Sequence, residues 1–204
     1  MEKYIKEFSA RVSEALAALP EKEIARAMNI VQGTYERDGR MYVCGNGGSL
    51  ALATHWVSDF NKTVFSRHLE GETKRFQAIR IPSTEEELTA WANDVGYEMV
   101  FAGPLRNYLQ DADTVIAISS SGNSPNIIKA VELAKAHKIP VIGLSGFDGG
   151  KLNELADAKI LVASPKGAYG VVESVHGAVL HLITEYFKNY FDHIAQSAPD
   201  TKTP

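Results

Sequence analysis

Among 204 residues there is one cysteine, Cys44, so no internal disulfide can staple the chain and a reducing compartment is expected. No apolar run reaches the roughly 18 residues of a membrane-spanning helix. The opening Met1-Glu2-Lys3-Tyr4 has none of the apolar core of a signal peptide, and the expectation is a cytoplasmic protein with no membrane partner. Positive charge is not in excess either. Lys and Arg (21) stand against Asp and Glu (25) for a formal charge of -4, and no basic stretch could follow a phosphate backbone, which argues against nucleic acid as a ligand. Internal repeats and low-complexity tracts are missing, and 16 Gly with 8 Pro exclude collagen-like and disordered classes. What remains is an ordinary globular chain, 45% hydrophobic, of a length that buries a core without disulfides or metals to hold it.

Apolar residues recur at helical spacing at Ile5, Phe8, Val12, Ala15, Leu16 and Leu19, and again after Pro20 at Ile24, Ala27, Ile30 and Val31. They predict two helices within Met1 to Arg37, ahead of any strand. Five short apolar, β-branched segments follow: Met41 to Cys44, Gln77 to Ile81, Thr114 to Ile118, Val141 to Leu144 and Lys159 to Val162. Amphipathic stretches separate most of them (Ala51 to Phe60, Thr84 to Ala92, Ile127 to His137, Leu152 to Ala156), as in βαβ units. The expected fold class is α/β: three α/β/α layers around a five-stranded, mostly parallel sheet, with an N-terminal helical extension and a long C-terminal helix over about Val171 to Phe191. Residues 1–38 are read as helices packing on the domain or in an oligomer, 39–192 as the domain, and 193–204 as a flexible, polar, proline-bearing tail. Thr63 to Arg75 is the expected long loop.

Two loops stand where parallel strands run into helices. After the first strand comes Gly45-Asn46-Gly47-Gly48-Ser49. Glycines allow close backbone approach, and free amides at a helix start favour an anion. The spacing is neither the dinucleotide fingerprint nor the P-loop, which removes support for nicotinamide cofactors and ATP. A tight turn capped by Ser49 fits the same residues. After the third strand comes Ser119-Ser120-Ser121-Gly122-Asn123-Ser124-Pro125-Asn126. Four hydroxyls and several amides can surround a phosphate dianion with neutral donors and no lysine. The same loop also reads as a turn with Ser124 as N-cap and Pro125 at the first helical position, and the two readings are compatible.

Two helices carry titratable groups. His55 and Asp59 are four residues apart and share a face, while Glu173, His176 and His181 fall at i, i+3 and i+8 on the last helix. If the two helices meet, His55, Asp59, Glu173 and His181 offer two imidazoles and two carboxylates to a divalent metal such as zinc. Taken singly, each histidine also fits a structural role, and His55 with Asp59 fits a plain surface pair.

In order and spacing these residues resemble the sugar isomerase (SIS) domain family, and within it the phosphoheptose isomerases, which interconvert sedoheptulose 7-phosphate and a manno-heptose 7-phosphate. The signposts are Gly45 to Ser49 with His55 six residues beyond, Asn93-Asp94, the Ser119 to Ser124 loop and the helix from Glu173 to His181. The resemblance spans nearly the whole chain. It implies an aldose-ketose isomerase working through an enediol on a small sugar phosphate, a homotetramer with sites between subunits, and a zinc ion in many members. Carried onto this sequence, Ser119, Ser120, Ser121 and Ser124 would hold the phosphate, and Asn46, Gly47, Gly48, Ser49, Asn93 and Asp94 would line the sugar. His55 and His181 take the metal-ligand histidine positions, and His181 is also where the proposed acid lies. Asp59 stands where the family has a glutamate, the proposed base, and Glu173 where it usually has glutamine. Shortening the first carboxylate by a methylene leaves Glu173 as a replacement for the base or ligand role, at a site where about 1 Å matters. The same departures keep open a non-catalytic SIS protein that binds a sugar phosphate or a protein, such as a replication-initiator-binding regulator.

Overall fold

In a computed structural model, described over residues 1–66 and 74–197, the five apolar segments form β1 (Arg40–Gly45), β2 (Gln77–Arg80), β3 (Thr114–Ser119), β4 (Val141–Phe147) and β5 (Ala158–Ala163). All neighbouring strands are parallel, in the order β2-β1-β3-β4-β5. β4 outruns its expected end because Ser145, Gly146 and Phe147 keep pairing with Leu161, Val162 and Ala163.

The helices are α1 (Glu2–Ala17), α2 (Glu21–Glu36), α3 (Gly48–Ser58), α4 (Glu85–Asp94), α5 (Ala102–Tyr108), α6 (Pro125–Ala136), α7 (Gly150–Leu155) and α8 (Tyr169–Ser197). Side chains alternate across the strands and supply two cores. Met41, Val43, Ile116, Ile118 and Ile142 face α2, α3, the turn that follows α3, and α8 through Ala27, Val31, Trp56, Phe60, Ile183 and Phe187. Tyr42, Cys44, Val115, Ala117 and Val141 face α5, α6 and α7 through Leu105, Ile127, Val131 and Leu152. Each fully buried aromatic or aliphatic side chain contributes about 1.5–3 kcal/mol, so the two layers clamp the sheet from both sides.

α5 is not among the elements expected from the sequence. Proline is tolerated in a first helical turn, and Gly103 is required because a Cβ there would lie 2.7 Å from Cδ2 of Trp91. At the other end α8 continues past Asp192, which is itself buried, so the described part of the expected tail is helical. Residues 198–204 of that tail, and 67–73 of the expected long loop, lie outside the described residues. α1 buries none of its residues fully; Val12 and Ala15 lean on Phe147, Val162, Val172 and Val175, while Tyr4, Ile5 and Leu16 stay exposed. Among the described residues no helix is long and apolar enough to cross a membrane.

Candidate active site

The order β2-β1-β3-β4-β5 reverses direction between β1 and β3, and in such sheets the crevice at the carboxyl ends of those two strands takes the ligand. Both loops singled out in the sequence open there. In the first, Gly47 sits at φ 53°, ψ −121°, a backbone conformation open in practice to glycine alone, and it turns the chain directly into α3. The second is fastened from below: Gly146 N donates to Ser120 O at 2.9 Å, Leu152 N to Gly122 O at 2.9 Å and Lys151 N to Asn123 Oδ1 at 3.1 Å. The serine loop is therefore held by β4 and α7 and does not depend on a ligand for its shape.

Between the loops lies a cavity of about 150 Å³ lined by Asn46, Ser49, Ser119, Ser120, Ser121 and Ser124, with Ile118, Tyr169 and Glu173 completing it. Ser119 Oγ and Ser124 Oγ are 3.2 Å apart, and Ser121 Oγ accepts from Asn123 N. Ser124 opens α6 without capping it through its side chain, so its hydroxyl stays with the cavity. Ser120 Oγ is buried with no hydrogen-bond partner among the described residues. A buried hydroxyl left unpaired costs about 1–3 kcal/mol, which an oxygen-rich ligand in this cavity would relieve. Among the described residues no lysine or arginine lines the space. Asn93 and Asp94 are exposed, bonded to each other at 2.8 Å at the end of α4, and outside the lining. Gly47 and Gly48 are outside the lining too, although Gly48 touches it indirectly: a Cβ there would lie 2.7 Å from Cδ and 2.8 Å from Oε1 of Glu173.

The two helices bearing titratable groups do meet. α3 and α8 run side by side, with Gly48 under Glu173, Leu52 against Gly177 (3.6 Å to a Cβ built there) and His55 with Asp59 beside His181. Asp59 Oδ2 lies 3.6 Å from His55 Nε2 and 3.8 Å from His181 Nδ1, and the two imidazoles meet edge to face with centroids 5.0 Å apart. The other Asp59 oxygen accepts from Thr63 Oγ1 at 2.9 Å. Asp59 opens a single π-helical turn, Asp59–Thr63, and such wide turns concentrate at functional sites. These three residues form a group that could hold a metal ion, with donor atoms all within 4.8 Å of one another. Glu173 is not in that group. Eight residues of α8 separate it from His181 by about 12 Å along the axis, and it sits with the serine cavity.

A model of the SIS domain family matches residues 3–146, about seven-tenths of the chain. The chain belongs to the SIS domain family. Its relatives include phosphoheptose isomerases. That of Fusobacterium nucleatum is 36% identical over 164 residues (80% of each chain), and that of Helicobacter pylori strain P12 is 32% identical over 191 residues, covering 92% of this chain and 95% of the relative. The solved phosphoheptose isomerase of Neisseria gonorrhoeae superposes with a TM-score of 0.79 at 28% identity, over 92% of this chain and 96% of that one. The SIS fold expected from the resemblance, with its five parallel strands and long last helix, is the fold observed.

Several residues of the site escaped sequence reading. Tyr169 lines the cavity, Thr63 orients Asp59, and Asn126 and Tyr97 bond to Asn46. His176 is buried, with Nε2 3.1 Å from Ser145 O; burial pushes its pKa down to about 4, so it is a neutral strut between α8 and β4. Cys44 is equally passive, since burial pushes its thiol up to about 12 and removes it as a nucleophile.

Proposed function

We propose that this SIS-domain chain is an aldose-ketose isomerase that interconverts sedoheptulose 7-phosphate and D-glycero-D-manno-heptose 7-phosphate through an enediol. The single observation that carries the reading is the buried Ser120 hydroxyl, without a partner among the described residues, in a cavity lined by four further serine hydroxyls and one carboxylate. Neutral donors at the start of α6 suit a phosphate monoester, because they bind it without the permanent ion pair that would slow its departure. The phosphoheptose isomerase relatives supply the substrate.

From the ketose, a base removes one proton from C1 while the C2 carbonyl oxygen gains one. The enediol then gives up its O1 proton as C2 is reprotonated, leaving the aldose with atoms and charge balanced. Glu173 is assigned the carbon-bound proton, because its carboxylate lines the cavity and has no hydrogen bond or ion pair among the described residues. Asp59, by contrast, divides its oxygens between Thr63 and two imidazoles. That arrangement turns His181 Nδ1 towards Asp59 and places this imidazole with the Asp59 cluster and not with Glu173. Asn46, Gly47, Gly48 and Ser49, with Asn93 and Asp94, are assigned to the sugar.

His55, Asp59 and His181 are assigned to zinc. Zinc bonds of about 2.0–2.1 Å in a tetrahedron put ligand atoms about 3.4 Å apart, and the separations of 3.6 and 3.8 Å lie within a few tenths of an ångström of that. When bound, the ion would polarise a substrate oxygen as a Lewis acid. A homotetramer is supported by the apolar surface that one chain leaves open, Tyr4, Ile5 and Leu16 on α1 and Leu182, Tyr186 and Ile194 on α8. A phosphorylated substrate and a lone buried thiol favour the cytoplasm.

The test incubates purified protein, with and without zinc, with sedoheptulose 7-phosphate and follows aldose formation by proton NMR. New anomeric signals that vanish in His181→Ala and Glu173→Ala variants are expected. Binding of the sugar phosphate without any turnover would instead make the chain a regulator of the same fold.

A further inference from the structure

We propose that Asn126 is a positioning residue for sugar binding, fixing the direction in which the Asn46 amide faces and, through it, the hydroxyl of Tyr97. The inference rests on the reading of the cavity as a sugar phosphate site and adds to it a specific device for recognising hydroxyls.

The two side-chain amides lie in a closed ring. Asn46 Nδ2 donates to Asn126 Oδ1 at 2.9 Å, and Asn126 Nδ2 donates back to Asn46 Oδ1 at 2.9 Å. A ring of this kind is ambiguous on its own, because turning both amides over gives the same two bonds. One further contact removes the ambiguity. The backbone N–H of Ile127 points at Asn126 Oδ1 from 3.0 Å, and a backbone N–H can only donate. With the Asn126 amide turned over, two donors would face each other at a site where Asn126 is 2% exposed and water offers no escape. The first turn of α6 therefore sets Asn126, and Asn126 sets Asn46.

Polarity then passes outward to the solvent edge. Asn46 Oδ1, already accepting from Asn126, also accepts from the Tyr97 hydroxyl at 3.0 Å. The Tyr97 hydrogen is thus directed inward, and the phenolic oxygen can act only as an acceptor towards anything else. Asn46 Nδ2 keeps one hydrogen with no partner among the described residues, on a side chain that lines the cavity. The result is a donor on Asn46 and an acceptor on exposed Tyr97 with their roles assigned in advance, a pattern matched by the carbonyl and hydroxyl groups of a polyhydroxy chain. Because the ring joins the β1–α3 loop to the helix that begins at the serine loop, the sugar contacts and the phosphate contacts share one frame. Asn126 is buried and outside the cavity lining, so it acts through Asn46 and not by touching substrate.

The test is a double-mutant cycle on the full chain. Asn126→Ala should raise the KM for sedoheptulose 7-phosphate about tenfold, the equivalent of about 1.4 kcal/mol of lost orientation. Competitive inhibition by inorganic phosphate, which needs only the serines, should stay within about twofold of the parent value. In an Asn46→Ala background the same substitution should change KM by less than about twofold, because the residue through which it acts is gone. An effect of Asn126→Ala as large in that background as in the parent overturns the proposal, and so does a parallel loss of phosphate inhibition, which would mark simple loosening of α6. Should Asn126→Ala not fold, the uncharged and nearly isosteric Asn126→Leu replaces it in the cycle. If the parent isomerises no ketose phosphate, the functional reading fails by itself. The positioning claim is then decided by the crystal structure of the unliganded variant, where an Asn46 amide still in the same orientation against Tyr97 refutes it.

Discussion

Replacing Gly48 by alanine separates catalysis from folding at one atom. Gly48 opens α3 with an ordinary helical backbone, so alanine meets no conformational objection there and gains up to about 1 kcal/mol in helix propensity. The added Cβ would stand 2.7 Å from Cδ and 2.8 Å from Oε1 of Glu173. Comfortable contact begins at about 3.5 Å, so the carboxylate must retreat by about 1 Å, and as the free end of a flexible side chain it can do so cheaply. A displacement of about 1 Å in a reacting group costs on the order of 100-fold in rate. The expected outcome is a kcat reduced by about two orders of magnitude with the urea midpoint and Tm nearly unchanged, stability staying within about 1 kcal/mol of the parent. Gly47→Ala next door is the control. Nothing lies within 4 Å of its Cβ, but φ 53° with ψ −121° is strained for alanine by about 1–3 kcal/mol, so that variant should lose stability first. Both variants are read by NMR turnover with sedoheptulose 7-phosphate and by urea denaturation. A Gly48→Ala enzyme with kcat within about threefold of the parent would remove Glu173 from the proton transfer.

Ser120→Ala deletes a buried hydroxyl that has no partner among the described residues, so stability should hold or rise by up to about 1 kcal/mol while inhibition by inorganic phosphate weakens about tenfold or more; loss of stability with unchanged inhibition would contradict this. Asp59→Asn should weaken zinc binding, measured by competition with a chelating dye, by at least the about 10–100-fold that a change in a residue merely supporting a ligand produces. His176 binds fewer protons folded than unfolded, its pKa moving from 6.5 to about 4, so stability is complete above pH 6.5 and declines as the pH falls towards 4. At pH 4.5 the parent should have lost about 2–3 kcal/mol more than His176→Gln, which stays neutral; parallel urea-midpoint curves against pH for the two proteins would refute that account.

The strands were legible because parallel strands covered on both faces read as short apolar runs, and the serine loop was legible because its residues are consecutive. Spacing alone placed His55 with Asp59 on one helical face, yet only packing could show Leu52 seated against Gly177 and His181 brought up beside them. Glu173 was grouped with the histidines because eight residues make a little over two turns of a helix. The same eight residues advance it by about 12 Å, which puts its carboxylate with the serines instead. The Asn46–Asn126 ring joins positions 80 residues apart and has no local signature, and neither has the π turn at Asp59. α5 was hidden by Gly103-Pro104, whose meaning depends on Trp91 lying against the glycine.

Because Glu173 and His181 are stations on one uninterrupted helix, the distance between them is a property of register and not of side-chain choice. A point substitution can change what stands at either station but cannot move one relative to the other. Inserting a single residue between them would swing everything beyond it by about 100° and slide it by about 1.5 Å, parting His181 from Asp59 while Glu173 stayed in place. α8 thus works as a ruler: redesign of this site for a shorter or longer sugar phosphate has to come from the loops at the strand ends, since the rod that carries both groups admits no adjustment.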